Sequence, residues 1–227
     1  MPFSIRYATE QDAPNLANIN VASFCHQALW GNLFPGDSTS TSTSDSDALP
    51  LKTARCLNKL VAPQVHVVAA VDDETGQVLG YARWVIPGAE TSVVELSPEG
   101  AAVLAAHDGG KTYPPNVNKF IYERFWEMLK DKYGTYVKED DFVLEFLATL
   151  PEAQGKGVGT ALLRWGLERV DAANARVYLE ATDDGYALYR KFGWEDLEKM
   201  RMDFGALGGQ GEQTWVAMRR EKRGVSA

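Results

Sequence analysis

The sequence predicts an α/β (α+β) fold, a mixed sheet flanked by helices, from three features. An apolar run, Phe142 to Leu150, stops at Pro151 and gives way, past Gln154-Gly155-Lys156-Gly157-Val158-Gly159, to an amphipathic run, Thr160 to Val170. Two β-rich runs, Val65 to Val71 and Val78 to Ile86, are joined by Asp72-Asp73-Glu74-Thr75-Gly76, a hairpin signal. Segments of period two and period 3.6 then alternate along the chain with no internal repeat.

Taken in order, Phe3, Ile5 and Tyr7 alternate with polar neighbours and predict a short first strand. Thr9 to Asp12 has capping-box spacing, and Leu16, Ile19 and Phe24 follow at helical intervals, with the helix or a second one running on towards Trp30 and Phe34. Gly36 to Asp47 is a Ser/Thr/Asp tract that cannot bury enough apolar surface to offset its ordering entropy, so a mobile loop is expected over about 36–48. Leu49 to Val61 predicts a helix, and Pro87 to Asn118 an irregular insertion with a short helix near Ala101 to Ala106. Lys119 to Lys132 is amphipathic, with Ile121, Phe125, Met128 and Leu129 on one face. After the strand at Phe142 and the helix from Gly157 to Ala172 come a strand at Val177 to Ala181 and a helix from Asp183 to Phe192, closed by Gly193. Trp194 to Phe204 and Gln213 to Arg219 predict two last strands.

The 227 residues suffice for one domain with a full core, and the chain is read as a single domain over 1–227. Net charge is −8, from 31 acidic against 23 basic residues, which argues against a nucleic-acid partner, whose phosphates need a basic footprint. The two cysteines, Cys25 and Cys56, make neither a disulfide framework nor a zinc site, the three histidines have no ligand spacing, and no metal is expected. The first residues lack an apolar signal core and no run approaches membrane-spanning length, so the expectation is a cytoplasmic protein without a membrane partner.

The glycine hexapeptide carries the chemistry. A helix N-terminus presents unpaired N–H groups and roughly half a positive charge, a seat for an anion such as phosphate. A Walker loop requires Gly-x-x-x-x-Gly-Lys-Ser/Thr, but here Gly155-Lys156 is followed by Gly157 and the leading position is Leu150. A dinucleotide fingerprint requires a third glycine where Thr160 stands, or Leu162 if counted from Gly157; Glu180 does imitate the acidic ribose ligand. The pattern Gln/Arg-x-x-Gly-x-Gly/Ala between strand and helix fits at every fixed position. With LEFLATLPEAQGKGVGTALLRWGLE and then VYLEATDDGYALYRKFGW, the stretch Leu144 to Trp194 resembles the cofactor half of the GCN5-related N-acetyltransferase (GNAT) superfamily.

That resemblance implies a mixed, mostly antiparallel central sheet and acetyl-CoA as co-substrate. It implies that Gln154, Gly155, Lys156, Gly157, Val158, Gly159 and Thr160 cradle the pyrophosphate, and that the pantetheine arm runs along Leu147, Ala148 and Thr149 in a cofactor half spanning about 142–204. A backbone N–H in that stretch would face the thioester carbonyl. Tyr189, four residues before Gly193-Trp194, matches the family's general acid, which protonates the departing thiolate. Many relatives carry Asn seven residues before that tyrosine; here the position is Thr182, whose hydroxyl can replace part of the amide's bonding. For the general base, strand alternation places Val143, Glu145, Leu147 and Thr149 on one face, and Glu145 is the only charge inside an apolar strand. An unpaired buried carboxylate is costly, so Glu145 is either the base or part of a salt bridge.

The resulting expectation is an N-acetyltransferase in which an amine attacks acetyl-CoA directly, with a small-molecule or peptide acceptor and a monomeric or homodimeric state. The rival is a non-catalytic acyl-CoA-binding or regulatory module on the same fold.

Overall fold

The computed structural model describes residues 2–34, 43–88, 94–114 and 116–223, with the side chains of 43–47 excepted. Seven strands, β1 (Phe3–Tyr7), β2 (Val65–Asp72), β3 (Val78–Val85), β4 (Phe142–Thr149), β5 (Val177–Ala181), β6 (Glu195–Asp203) and β7 (Glu212–Arg220), form one sheet in the order β1-β2-β3-β4-β5-β7-β6. Every pairing is antiparallel except β4 with β5. The mixed, mostly antiparallel sheet of the sequence reading is therefore the observed one.

Helices cover both faces. On one side lie α6 (Val158–Ala172) and α7 (Asp183–Lys191). Their apolar stripes, including Leu162, Leu163, Leu167 and Tyr189, pack on Val68, Ala82, Trp84, Leu144, Val177 and Leu179. Gly166 is required here, because a Cβ would stand 2.1 Å from the ring of the fully buried Trp84. On the other side lie α1 (Ala13–Phe24), α2 (Ala28–Leu33), α3 (Thr43–Leu60), α4 (Pro98–Ala106) and α5 (Lys119–Tyr136). Two apolar clusters fill this face, one around Leu16, Ile19, Leu57 and Tyr81, the other around Trp30, Ile121, Tyr178 and Trp215.

Local chemistry sets the boundaries. Asp12 accepts from the Thr9 N–H at 2.7 Å, as the capping spacing predicts, and from both guanidinium nitrogens of Arg6 at 2.7 and 2.9 Å. Ser97 caps α4 by accepting from the Gly100 N–H at 3.1 Å, so the short helix in the insertion begins three residues earlier than expected. The Ser/Thr/Asp tract is divided: positions 36–42 lie outside the described residues, whereas α3 already begins at Thr43 and runs through Pro50. Here the apolar face of α3, with Leu51, Ala54 and Leu57 buried, overrides the weak helix propensity of Ser and Asp.

Candidate active site

The site is built where β4 and β5 part. Only Phe142 with Val177 and Val143 with Tyr178 are paired; beyond them the two parallel strands diverge. The closed end is locked by Asp141, which accepts from Nε and Nη2 of Arg176, both at 2.8 Å, while the Phe142 N–H donates to the Arg176 carbonyl at 2.9 Å. From there to Thr149, β4 is paired with β3 alone, so its other edge borders an open wedge. Such an edge offers backbone groups to an extended ligand in the manner of an added strand. Leu147, Ala148 and Thr149 lie along this edge.

At the mouth of the wedge sits the glycine loop. Gly155 and Gly157 have φ of +71° and +87°, a region that side chains disfavour, and they turn the chain so that Gly157 caps α6. The first helical bond is from the Ala161 N–H to the Gly157 carbonyl, and no side chain caps the helix. The N–H groups of Val158, Gly159 and Thr160 are therefore without helical acceptors. Gln154 to Gly157 are exposed. The residues fit the phosphate end of a CoA: N–H groups without helical acceptors, a helix dipole, and glycines at 155, 157 and 159. Gly159 differs from the others. A Cβ there would lie 3.6 Å from Leu147, 3.7 Å from Thr149 and 3.9 Å from Leu188, pointing into the wedge between β4 and α7. A methyl fits at those distances, and a larger side chain would enter the wedge.

Tyr189 lies on α7, only 7% exposed, with its ring 5.9 Å from that of Trp194. Gly185 is needed for this placement, since a Cβ would meet the tyrosine ring at 2.7 Å. Burial pushes the phenol well above its usual pKa, so it holds its proton at neutral pH. Thr182 is the N-terminal cap of α7 in extended backbone, with its carbonyl accepting from Gly185 and Tyr186. The corner between α1 and α2 reaches across the wedge: Ser23 donates to the Thr149 carbonyl at 2.9 Å, and His26 contacts Asp184 at 3.0 Å.

Strand alternation through Glu145 does not hold. Arg83 of β3 faces Phe146 and the next residue, Trp84, faces Leu144, so Glu145 is the extra residue of a β-bulge. The bulge shifts the alternation by one. Val143 packs on the α5 side, Phe146 and Ala148 on the α1/α3 side, and Leu147 and Thr149 on the α6 side, not on a common face with Val143. Glu145 is paired with Lys59 of α3 at 2.7 Å and has Arg83 Nε at 3.9 Å.

A second carboxylate, weighed in the sequence only as a ribose ligand, also borders the gap. Glu180 alternates with Leu179 and Ala181, so it projects to the α5 side, next to Tyr178. Burial raises its pKa to about 7; the nearby Tyr178 hydroxyl opposes the rise, and the charge of Glu145 adds a smaller upward push. The test applied to Glu145, one charge inside an apolar strand, applies equally to Val177-Tyr178-Leu179-Glu180-Ala181. Glu180 and Tyr189 thus stand on opposite faces of the sheet beside one gap.

A splayed parallel pair with a helix N-terminus that no side chain caps at its mouth can take an extended ligand with an anionic end. Residues 30–194 match the model of the Acetyltransferase (GNAT) family, and the chain belongs to that family. Among solved structures, a histone acetyltransferase HPA2 and related acetyltransferase from Corynebacterium glutamicum superposes with a TM-score of 0.62 at 21% identity, over 100% of both chains. The PaiA N-acetyltransferase of Thermoplasma acidophilum, in complex with coenzyme A, gives 0.51 at 13% identity over 97% of this chain and 99% of that one. The polyamine N-acetyltransferase of Drosophila melanogaster gives 0.53 at 12% identity over 97% and 100%. At these identities the likeness is one of fold. No curated protein sequence matches the chain. Among the described residues, no helix is long and apolar enough to cross a membrane.

Proposed function

We propose that the protein is an N-acetyltransferase in which an amine attacks acetyl-CoA directly. The observation that carries this reading is the wedge, with the N–H groups of α6 at its mouth and Tyr189 and Glu180 on its two sides. In this reading Gln154 to Thr160 hold the pyrophosphate, and the free edge of β4 at Leu147 to Thr149 holds the pantetheine arm. Thr182 lines the α7 end.

Glu180 takes a proton from the acceptor ammonium, and with a pKa about 7 it does so near neutral pH. The amine nitrogen forms its bond to the acetyl carbon, the carbon–sulfur bond breaks, and Tyr189 donates its proton to the leaving sulfur. Glu145 is the second candidate base. Its ion pair with Lys59 fits better with orienting the acceptor and raising the proton affinity of Glu180. Two fold relatives, the mosquito arylalkylamine N-acetyltransferase like 5b and the Drosophila polyamine N-acetyltransferase, are named for small amines, and a small-molecule amine is the acceptor class proposed here.

The test is thiol release from acetyl-CoA across a panel of amines, with wild type beside Tyr189→Phe. Turnover that drops in Tyr189→Phe while acetyl-CoA binding persists supports the reading. Tight CoA binding with no turnover on any amine would favour a non-catalytic binding module.

A further inference from the structure

A group of four cations lies on the α3 side of the sheet with, among the described residues, a single carboxylate to match them. Lys52, Arg55 and Lys59 follow one another at helical spacing along the inner face of α3, and Arg83 comes to meet them from β3. Among the described residues, Glu145 is the one carboxylate in an ion pair with any of the four.

Their arrangement is specific. Lys52 Nζ stands over the Trp30 ring, 5.2 Å from its centre, and Arg55 Cζ over that of Tyr122 at 4.8 Å. Arg83 Cζ stacks on Phe146 at 4.7 Å. The Arg83 side chain is 14% exposed, and its Nε is buried with no hydrogen-bond partner, since Glu145 at 3.9 Å is beyond bonding distance. Aromatic faces hold the cations in place but do not neutralise them. Burial first, and then the positive charges of Arg55 and Arg83, lower the Lys52 pKa to about 7. In a protein of net charge −8, gathering four cations here runs against the overall charge and is costly unless an anion completes the group. Lys59 and Glu145, 31% and 24% exposed, bring this end of the cluster to the surface.

The cluster adjoins the proposed catalytic centre. Glu145 is shared between them: it pairs with Lys59 and also acts electrostatically on Glu180. An acceptor lying along this line would meet carboxylates at its amine end and cations at its other end. We propose that Lys52, Arg55 and Arg83 form an anion subsite, and that the acceptor is a small amine that also carries a carboxylate, as a free amino acid does. This rests on the N-acetyltransferase reading, and it predicts discrimination against polyamines, whose second charge would be repelled.

The experiment has two arms. In the first, malonate is titrated against chloride at matched ionic strength and followed by tryptophan fluorescence, with wild type beside Lys52→Met and Arg83→Met, each checked for folding by circular dichroism. Saturable binding of malonate that weakens at least tenfold in both variants is expected. An equal response to malonate and chloride, or a response unchanged in both variants, would overturn the subsite. In the second, acetyl transfer is compared within matched pairs: lysine against cadaverine, ornithine against putrescine, tyrosine against tyramine. At least one acid should be preferred over its decarboxylated amine by tenfold or more in kcat/KM, and that preference should collapse in Lys52→Met. A general preference for the decarboxylated amines refutes the proposal while leaving the transferase reading intact. No turnover with any compound counts against the transferase reading, and the malonate arm then decides the subsite alone.

Discussion

Replacing Glu180 by Gln tests the base through both stability and rate. Its carboxyl is shifted from 4.5 to about 7, so the folded protein binds the Glu180 proton more tightly than the unfolded chain does. At 1.36 kcal/mol per unit, the shift corresponds to at most about 3 kcal/mol. The sign follows from proton counting. The contribution is fully present below pH 4.5 and is lost as pH rises through about 7, because the folded state then has to ionise a half-buried carboxyl. Glutamine keeps the shape without the charge. Glu180→Gln should therefore match the wild type near pH 4.5 and be the more stable of the two at pH 7.5, by up to about 3 kcal/mol. The rate should move the other way. Wild-type kcat/KM should rise with pH to a limb centred near 7, whereas Glu180→Gln should lose that limb and about 10²–10⁴-fold in rate. Urea unfolding across pH, run beside a thiol-release pH profile, measures both. A variant that keeps the wild-type pH–rate profile, or is less stable at pH 7.5, refutes the assignment.

The other predictions concern the cradle, the acid and the core. Gly159→Ala should be accepted, since its methyl would sit 3.6–3.9 Å from Leu147, Thr149 and Leu188; Tm should rise by at most about 4 °C with KM for acetyl-CoA unchanged. Gly159→Leu should raise that KM by tenfold or more, and equal KM values for the two variants would show that the wedge does not hold the ligand. Gly157→Ala, at φ +87°, should cost about 1–2 kcal/mol of stability by thermal unfolding. Tyr189→Phe should lower kcat by about 10²-fold or more, read by single-turnover kinetics, with acetyl-CoA affinity by calorimetry altered less than threefold. Gly166→Ala should destabilise by about 1–3 kcal/mol or more, because its methyl would stand 2.1 Å from Trp84; a Tm equal to wild type would contradict the packing.

Much of the fold was legible because local patterns suffice for it. Alternation located β1 and the β2–β3 hairpin, and the glycine spacing located the β4–α6 turn and its free helix end. These depend on neighbours in the chain, and neighbours are what a sequence displays. The start of α3 was not legible, since burial of Leu51, Ala54 and Leu57 against other elements stabilises a helix that Ser and Asp do not favour by themselves.

The site divides in the same way. The sequence alone determined the glycine turn at Gln154 to Gly159, the helix that carries Tyr189 and, through them, the family. Tertiary structure decided the faces and the pairings. The bulge at Glu145 reverses the alternation that follows it, and whether a strand takes an extra residue depends on its partner's register, here set by Arg83 and Trp84 some sixty residues earlier. The gap between β4 and β5 exists only because two strands far apart in sequence pair at one end and not at the other. The Lys59–Glu145 ion pair joins α3 to the sheet, and Arg83 acts on Lys52 and Arg55 through its charge. Electrostatics acts through space, so the cations of α3 and β3 could be counted in the sequence but brought together only in the folded chain.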